Sequence, residues 1–129
     1  MENKEFIKEG FKRMFETSAF DEAFIRTMFA SSYIQHVDGK TLAFEDFIRH
    51  LKALKEKTQS IKIHFKTLAT EGEVVFSNHV VTVIMNDHSQ TMIHVIAEFH
   101  IKEGKVYYCD ELTSLIDGDA QNSDLGSTL

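Results

Sequence analysis

The sequence predicts an α+β domain: three N-terminal helices packed on a curved, mainly antiparallel sheet. Two patterns and a set of turns carry that prediction. Apolar residues recur at helical spacing through the first half of the chain, and they alternate or run together with β-branched residues through the second. Glu-Gly pairs then punctuate the second half where hairpin turns are needed. A length of 129 residues suits one core, so residues 1–116 read as a single domain and 117–129 as a polar tail.

Phe6, Ile7, Gly10, Phe11, Met14 and Phe15 form the first helical stripe, with Lys and Glu on the opposite side. Gly10 lies on the apolar stripe, where it permits close packing. Ser18 with Asp21 fits an N-terminal cap, and Phe20, Phe24, Thr27, Met28 and Ser31 continue as a second stripe. After Tyr33 the pattern dissolves toward a turn at Gly39. A third helix spans about Phe44 to Lys57 and buries Phe44, Phe47, Ile48, Leu51 and Leu54. Strands are expected at 60–69, 74–85, 91–101 and 106–114, all rich in Val, Ile, Phe and Thr.

The bulk chemistry excludes several functions. A net charge of −6 with no long basic run disfavours nucleic acid. No apolar run approaches the roughly 20 residues a membrane helix needs, and the charged start is unlike a secretory signal. One cysteine, Cys109, rules out an internal disulfide and points to a reducing, cytoplasmic setting. No phosphate-cradling glycine loop and no nucleophile elbow is present, so no cofactor is expected.

Hairpin register assigns the faces. With Glu103-Gly104 as the loop, Ile101 opposes Val106, Phe99 opposes Tyr108, and Ala97 opposes Asp110. One face then holds Ile93, Val95, Ala97, Phe99, Ile101, Val106, Tyr108, Asp110 and Leu112. With Glu71-Gly72 as the other loop, Ile61, Ile63, Phe65, Thr67, Val74, Phe76, Asn78, Val80 and Thr82 share a face, and a four-residue loop at Asp87–Gln90 pairs Val80 with Ala97. Asp110 is the single charge on the surface that the helices should cover. A buried carboxylate must be paired or carry a raised pKa, so Asp110 is either a working acid or base or a carboxylate bonded within the core.

The order of three helices and a curved meander, Tyr33-Ile34-Gln35-His36 before Gly39, and Gly104-Lys105-Val106 opening the last strand resemble the nuclear transport factor 2-like superfamily, in particular its SnoaL-like polyketide cyclase and ketosteroid isomerase-like group. The resemblance covers about residues 5–116. It implies a cone whose apolar pocket binds a small molecule, with His36 at the cavity and Asp110 on the last strand. Many cyclase-like relatives carry an acid where this chain has Ala97, so their acid–base arrangement does not transfer directly.

A working site on this reading moves a proton beside a carbonyl with Asp110 or His36. His50 assists from the flank of the third helix, and Tyr33, Tyr108 or Asn78 steadies the enolate. Asp38 stands two residues from His36, close enough to form a dyad or simply to cap the turn. Thr82 and Phe99 complete the pocket. No metal is expected: His94 and His100 stand about 20 Å apart along one strand, and His64 with His79 makes half a site. The expected function is an isomerase, cyclase or dehydratase acting on a small apolar, carbonyl-containing molecule; the alternative is a non-catalytic ligand-binding or dimerisation domain. Val75, Val81, Val83, Met85, Met92 and Ile96 on the outward face predict a homodimer through that face.

Overall fold

Amphipathic periodicity produces three helices: α1 (Asn3–Glu16), α2 (Glu22–Met28) and α3 (Phe44–Lys57). They and six strands make up the computed structural model, which describes residues 2–118. The strands are β1 (Phe29–Val37), β2 (Lys40–Ala43), β3 (Thr58–Glu71), β4 (Val74–Met85), β5 (Gln90–Lys102) and β6 (Lys105–Asp117). They form one curved open sheet in the order β2-β1-β6-β5-β4-β3, in which only β1 and β6 run parallel. β6 runs through Asp117, and residues 119–129 of the tail expected at 117–129 lie outside the described residues.

α1 and α3 bury most of the stripes read from their sequences, whereas α2 buries Ile25 and Met28 and leaves Thr27 exposed. Ile7, Gly10, Phe11, Met14 and Phe15 are buried on α1, and Phe44, Phe47, Ile48, Leu51 and Leu54 on α3. Gly10 does permit a close approach. A Cβ there would stand 2.5 Å from the terminal methyl of Met28, so the bare backbone lets α2 pack against α1. Asp21 caps α2 by accepting from the Phe24 amide at 3.1 Å. That helix stops at Met28, earlier than the Phe20–Ser31 stripe implied. From Phe29 onward the chain is strand, held by β6 on one side and β2 on the other.

Two β-bulges decide which side chains face the helices. On β6, Ile101 pairs with Val106 as expected, but His100 then pairs with Tyr108, leaving Tyr107 as the extra residue. Side chains alternate, so one extra residue exchanges the faces of everything beyond it. Phe99 therefore pairs with Cys109 and Ala97 with Glu111, instead of Tyr108 and Asp110. On β3 the extra residue is Lys66, between the pairs Thr67 with Asn78 and Phe65 with His79. The hairpin turn there is Gly72-Glu73, with Glu71 opposite Val74. As a result Val75, Val81 and Val83, expected outside, are fully buried with Ile61 and Ile63, whereas Phe76 is exposed. The pairing of Val80 is likewise corrected, to His94, since the connecting loop leaves Ile84 opposite Gln90.

Candidate functional site

The helix-covered face of the sheet is largely apolar, and the Tyr107 bulge turns one polar group onto it. Past the bulge Cys109 and Glu111 turn inward, each buried. In the parallel pairing of β1 with β6, Gln35 lies beside Cys109 and Val37 beside Glu111. Gln35 is buried too, and its Nε2 donates to Oε1 of Glu111. Phe11 and Phe15 from α1, Phe47 from α3, and Tyr33, Phe99 and Cys109 from the sheet close with this pair around a cavity of about 10 Å³. That is about the room one water requires. Oε1 of Gln35 has no hydrogen-bond partner among the described residues.

Burial pushes the Glu111 carboxyl up to about 8. The Gln35 bond opposes that rise, and the charges of Asp38 and Asp110 add to it. At neutral pH Glu111 is thus a carboxylic acid. Burial also raises Tyr33 and Cys109 well above their ordinary values, so both keep their protons. The arrangement holds one releasable proton beside an amide and a phenol, in an aromatic enclosure that excludes bulk water. It can give that proton near pH 7 and accept one once the carboxyl ionises.

Of the residues expected at the site, Tyr33 and Phe99 line this cavity. Asp110 is corrected to the exposed outer face, in register between His36 and Glu98, because the bulge carries it across. Tyr108 crosses with it. Asn78 and Thr82 lie on the outer face because the registers of β4 differ from the expected ones, opposite Ile96 and Met92, and Asn78 Oδ1 lies 2.6 Å from Nε2 of His94. His36 is exposed, its Nε2 3.3 Å from Thr41 Oγ1 and its ring 5.8 Å from that of Tyr108. Asp38 makes no dyad with it. The Asp38 carboxylate accepts from the Thr113 amide at 2.8 Å and from the Thr113 hydroxyl, tying the β1–β2 turn to β6. His50 is exposed on α3.

His64 and His79, expected opposite each other, face opposite sides, since the Lys66 bulge pairs His64 with Val80 and Phe65 with His79. His79 is fully buried, with Nδ1 2.6 Å from Ser77 Oγ and Nε2 unpartnered. Among the described residues no three His, Cys, Asp or Glu side chains are placed to share a metal ion.

Glu111 and Gln35 were not among the residues expected at the site. The signal for Gln35 is the alternation Tyr33, Gln35, Val37. The signal for Glu111 is the break in alternation at Val106-Tyr107-Tyr108-Cys109, where two adjacent tyrosines interrupt an apolar face.

No protein-family model matches the chain. The uncharacterized protein C11D3.04c of Schizosaccharomyces pombe is 30% identical to it over 126 residues, 98% of this chain and 96% of its own. The two belong to one family. Among solved structures, IdmH of Streptomyces antibioticus, assigned as a polyketide cyclase, superposes with a TM-score of 0.75 at 10% identity, covering 88% of this chain and 93% of its own. An LEH-like epoxide hydrolase of M. tuberculosis gives 0.73 at 10% identity, covering 87% and 82%. An NTF2-like protein of unknown function from Exiguobacterium sp. 255-15 gives 0.68 at 14% identity, covering 83% and 97%. This chain has the nuclear transport factor 2-like fold. At such identities the likeness speaks for the fold alone, and the chemistry of this chain rests on its own residues. No helix among the described residues is long and apolar enough to cross a membrane.

Proposed function

We propose that this protein is a SnoaL-like, cofactor-independent isomerase, cyclase or dehydratase that transfers a proton on a small apolar carbonyl compound, with Glu111 as the acid and base. One observation carries the reading: a single carboxyl, held neutral at pH 7 by burial and bonded to Gln35, borders a cavity walled by aromatic side chains. Tyr33, still protonated, lines the same cavity and is a donor for an enolate oxygen. The helices and curved sheet would then form the cone of the fold, with its pocket at this point. Similarity in fold to a protein assigned as a polyketide cyclase and to an epoxide hydrolase supports a small-molecule substrate. The single, buried Cys109 fits a reducing, cytoplasmic setting.

Hydrogen exchange at carbon tests the chemistry. In deuterated buffer the wild type should speed exchange of the α-protons of 2-tetralone, followed by proton NMR, with a rate that rises with pH and levels off above about pH 8. Glu111→Gln should lose roughly 10²–10⁴-fold of that acceleration. Equal rates in the variant, or none above buffer in the wild type, would leave a non-catalytic binding domain as the better account.

The outer sheet face supports a homodimer. Phe76, Ile96, Leu112 and Ile116 are 42%, 47%, 66% and 54% exposed, and Ile96 stands directly opposite Leu112. Large apolar side chains grouped in this way mark an interface more often than a solvated surface. The double variant Ile96→Glu, Leu112→Glu should convert dimer to monomer in sedimentation at micromolar concentration with the fold retained. A wild type that sediments as a monomer under those conditions would rule the interface out.

A further inference from the structure

We propose that His79, held by Ser77, is a second ligand anchor, and that the ligand therefore carries two oxygen functions at opposite ends of one rigid, apolar skeleton. The inference rests on the proton-transfer reading of Glu111 for the first of those ends.

Two buried side-chain atoms among the described residues lack a hydrogen-bond partner: Gln35 Oε1 and His79 Nε2. Both residues sit on the helix-covered face. The residues around His79 are otherwise apolar, with Phe65 and Val95 as its cross-strand neighbours and Val81 two residues along β4. An unpaired buried polar atom destabilises the fold, a cost that a leucine at this position would avoid. Its retention makes sense if something other than the protein pairs with it.

The imidazole is prepared for such a partner. Ser77 Oγ, 2.6 Å from Nδ1, fixes the ring. Burial lowers the His79 pKa to about 4, so the ring is neutral at pH 7. A serine hydroxyl either accepts from Nδ1–H or donates to a bare Nδ1. Nε2 correspondingly accepts from a hydroxyl or donates to a carbonyl.

Register sets the spacing. Glu111 pairs with Ala97, and Ala97 with Ser77, so only a methyl group lies on the floor between the carboxyl and the serine. Those backbones are two strand steps, about 10 Å, apart. His79 follows two residues further along β4. Both side chains reach inward from a curved sheet, which leaves about 8–10 Å between the polar atoms of a bound molecule, the length of a bicyclic skeleton with an oxygen at each end.

Fluorescence titration of the full chain at pH 7 tests the proposal with two naphthalenes, 6-acetyl-2-naphthol with an oxygen at each end and 2-acetylnaphthalene with one. The wild type should bind the first about tenfold more tightly, the worth of one added hydrogen bond. His79→Leu should bind both alike, with its affinity for 2-acetylnaphthalene within about twofold of wild type and its melting temperature not lowered. His79→Gln, which keeps a polar end, should retain part of the preference. A purely structural His79 would change the melting temperature and leave the preference intact. Equal binding of the two probes by wild type, binding of neither, or a preference that survives in His79→Leu would overturn the proposal. A preference erased by His79→Leu alongside undiminished exchange in Glu111→Gln would keep the second anchor and discard the proton-transfer role of Glu111.

Discussion

Replacing Glu111 with Gln should leave stability within about 1 kcal/mol of wild type at pH 4, yet make the protein roughly 3–5 kcal/mol more stable than wild type above pH 8. The ordinary carboxyl value is 4.5, and burial raises Glu111 to about 8. Between those limits the unfolded chain has released a proton that the folded chain still holds. Rising pH therefore favours unfolding, and wild-type stability falls across that window until both states are ionised. Each pH unit of separation is worth about 1.36 kcal/mol, which sets the size of the effect. Glutamine carries no titrating proton and still meets the Gln35 amide, so the slope attributable to this site should vanish. Urea unfolding of both proteins at pH 4, 6 and 9 measures it. Parallel stability curves would mean that Glu111 ionises as an ordinary exposed carboxyl.

Phe29→Ala should cost roughly 3–5 kcal/mol, against about 1 kcal/mol for Phe29→Leu. Phe29 opens β1, is 1% exposed, and sits at the junction of the helices and the sheet. Its ring centroid lies 4.7 Å from that of Tyr33, 5.1 Å from Phe47, 6.2 Å from Phe44 and 6.3 Å from Phe11. Truncation removes ring contacts to four side chains at once and leaves a void that these rigid rings cannot readily fill. Tyr33, Phe47 and Phe11 also wall the Glu111 cavity, so the loss should loosen the site as well as the core. Equilibrium unfolding reads the change. A loss under about 1 kcal/mol would show that the cluster repacks freely.

Local pattern carried the elements well and the faces poorly. The α3 boundaries and those of β4 coincide with the expected ones, because each has a single strong period and a clear break at both ends. β1 was hidden: Phe24, Thr27, Met28 and Ser31 fit a helix locally, and only pairing with the distant β6 makes the stretch from Phe29 extended. Strand alternation then gave the inner face of β5 correctly, from Ile93 to Ile101. The same rule failed beyond Tyr107 and around Lys66, since a bulge adds a residue without altering composition. Asp110 is the acid expected inside, whereas the buried acid on the last strand is its neighbour Glu111. The bulge exchanges the two, and with them the site moves from a histidine-rich rim to an aromatic interior.

The ionisation of Glu111 is the most direct test of the account. In protein labelled with ¹³C at the glutamate side-chain carboxyl, the resonance absent from Glu111→Gln should titrate with a midpoint of about 8. That midpoint would establish a buried, neutral acid at physiological pH, inward-facing because of the Tyr107 bulge. A midpoint near 4.5 would place Glu111 in solvent and contradict both the register of β6 and the function built on it.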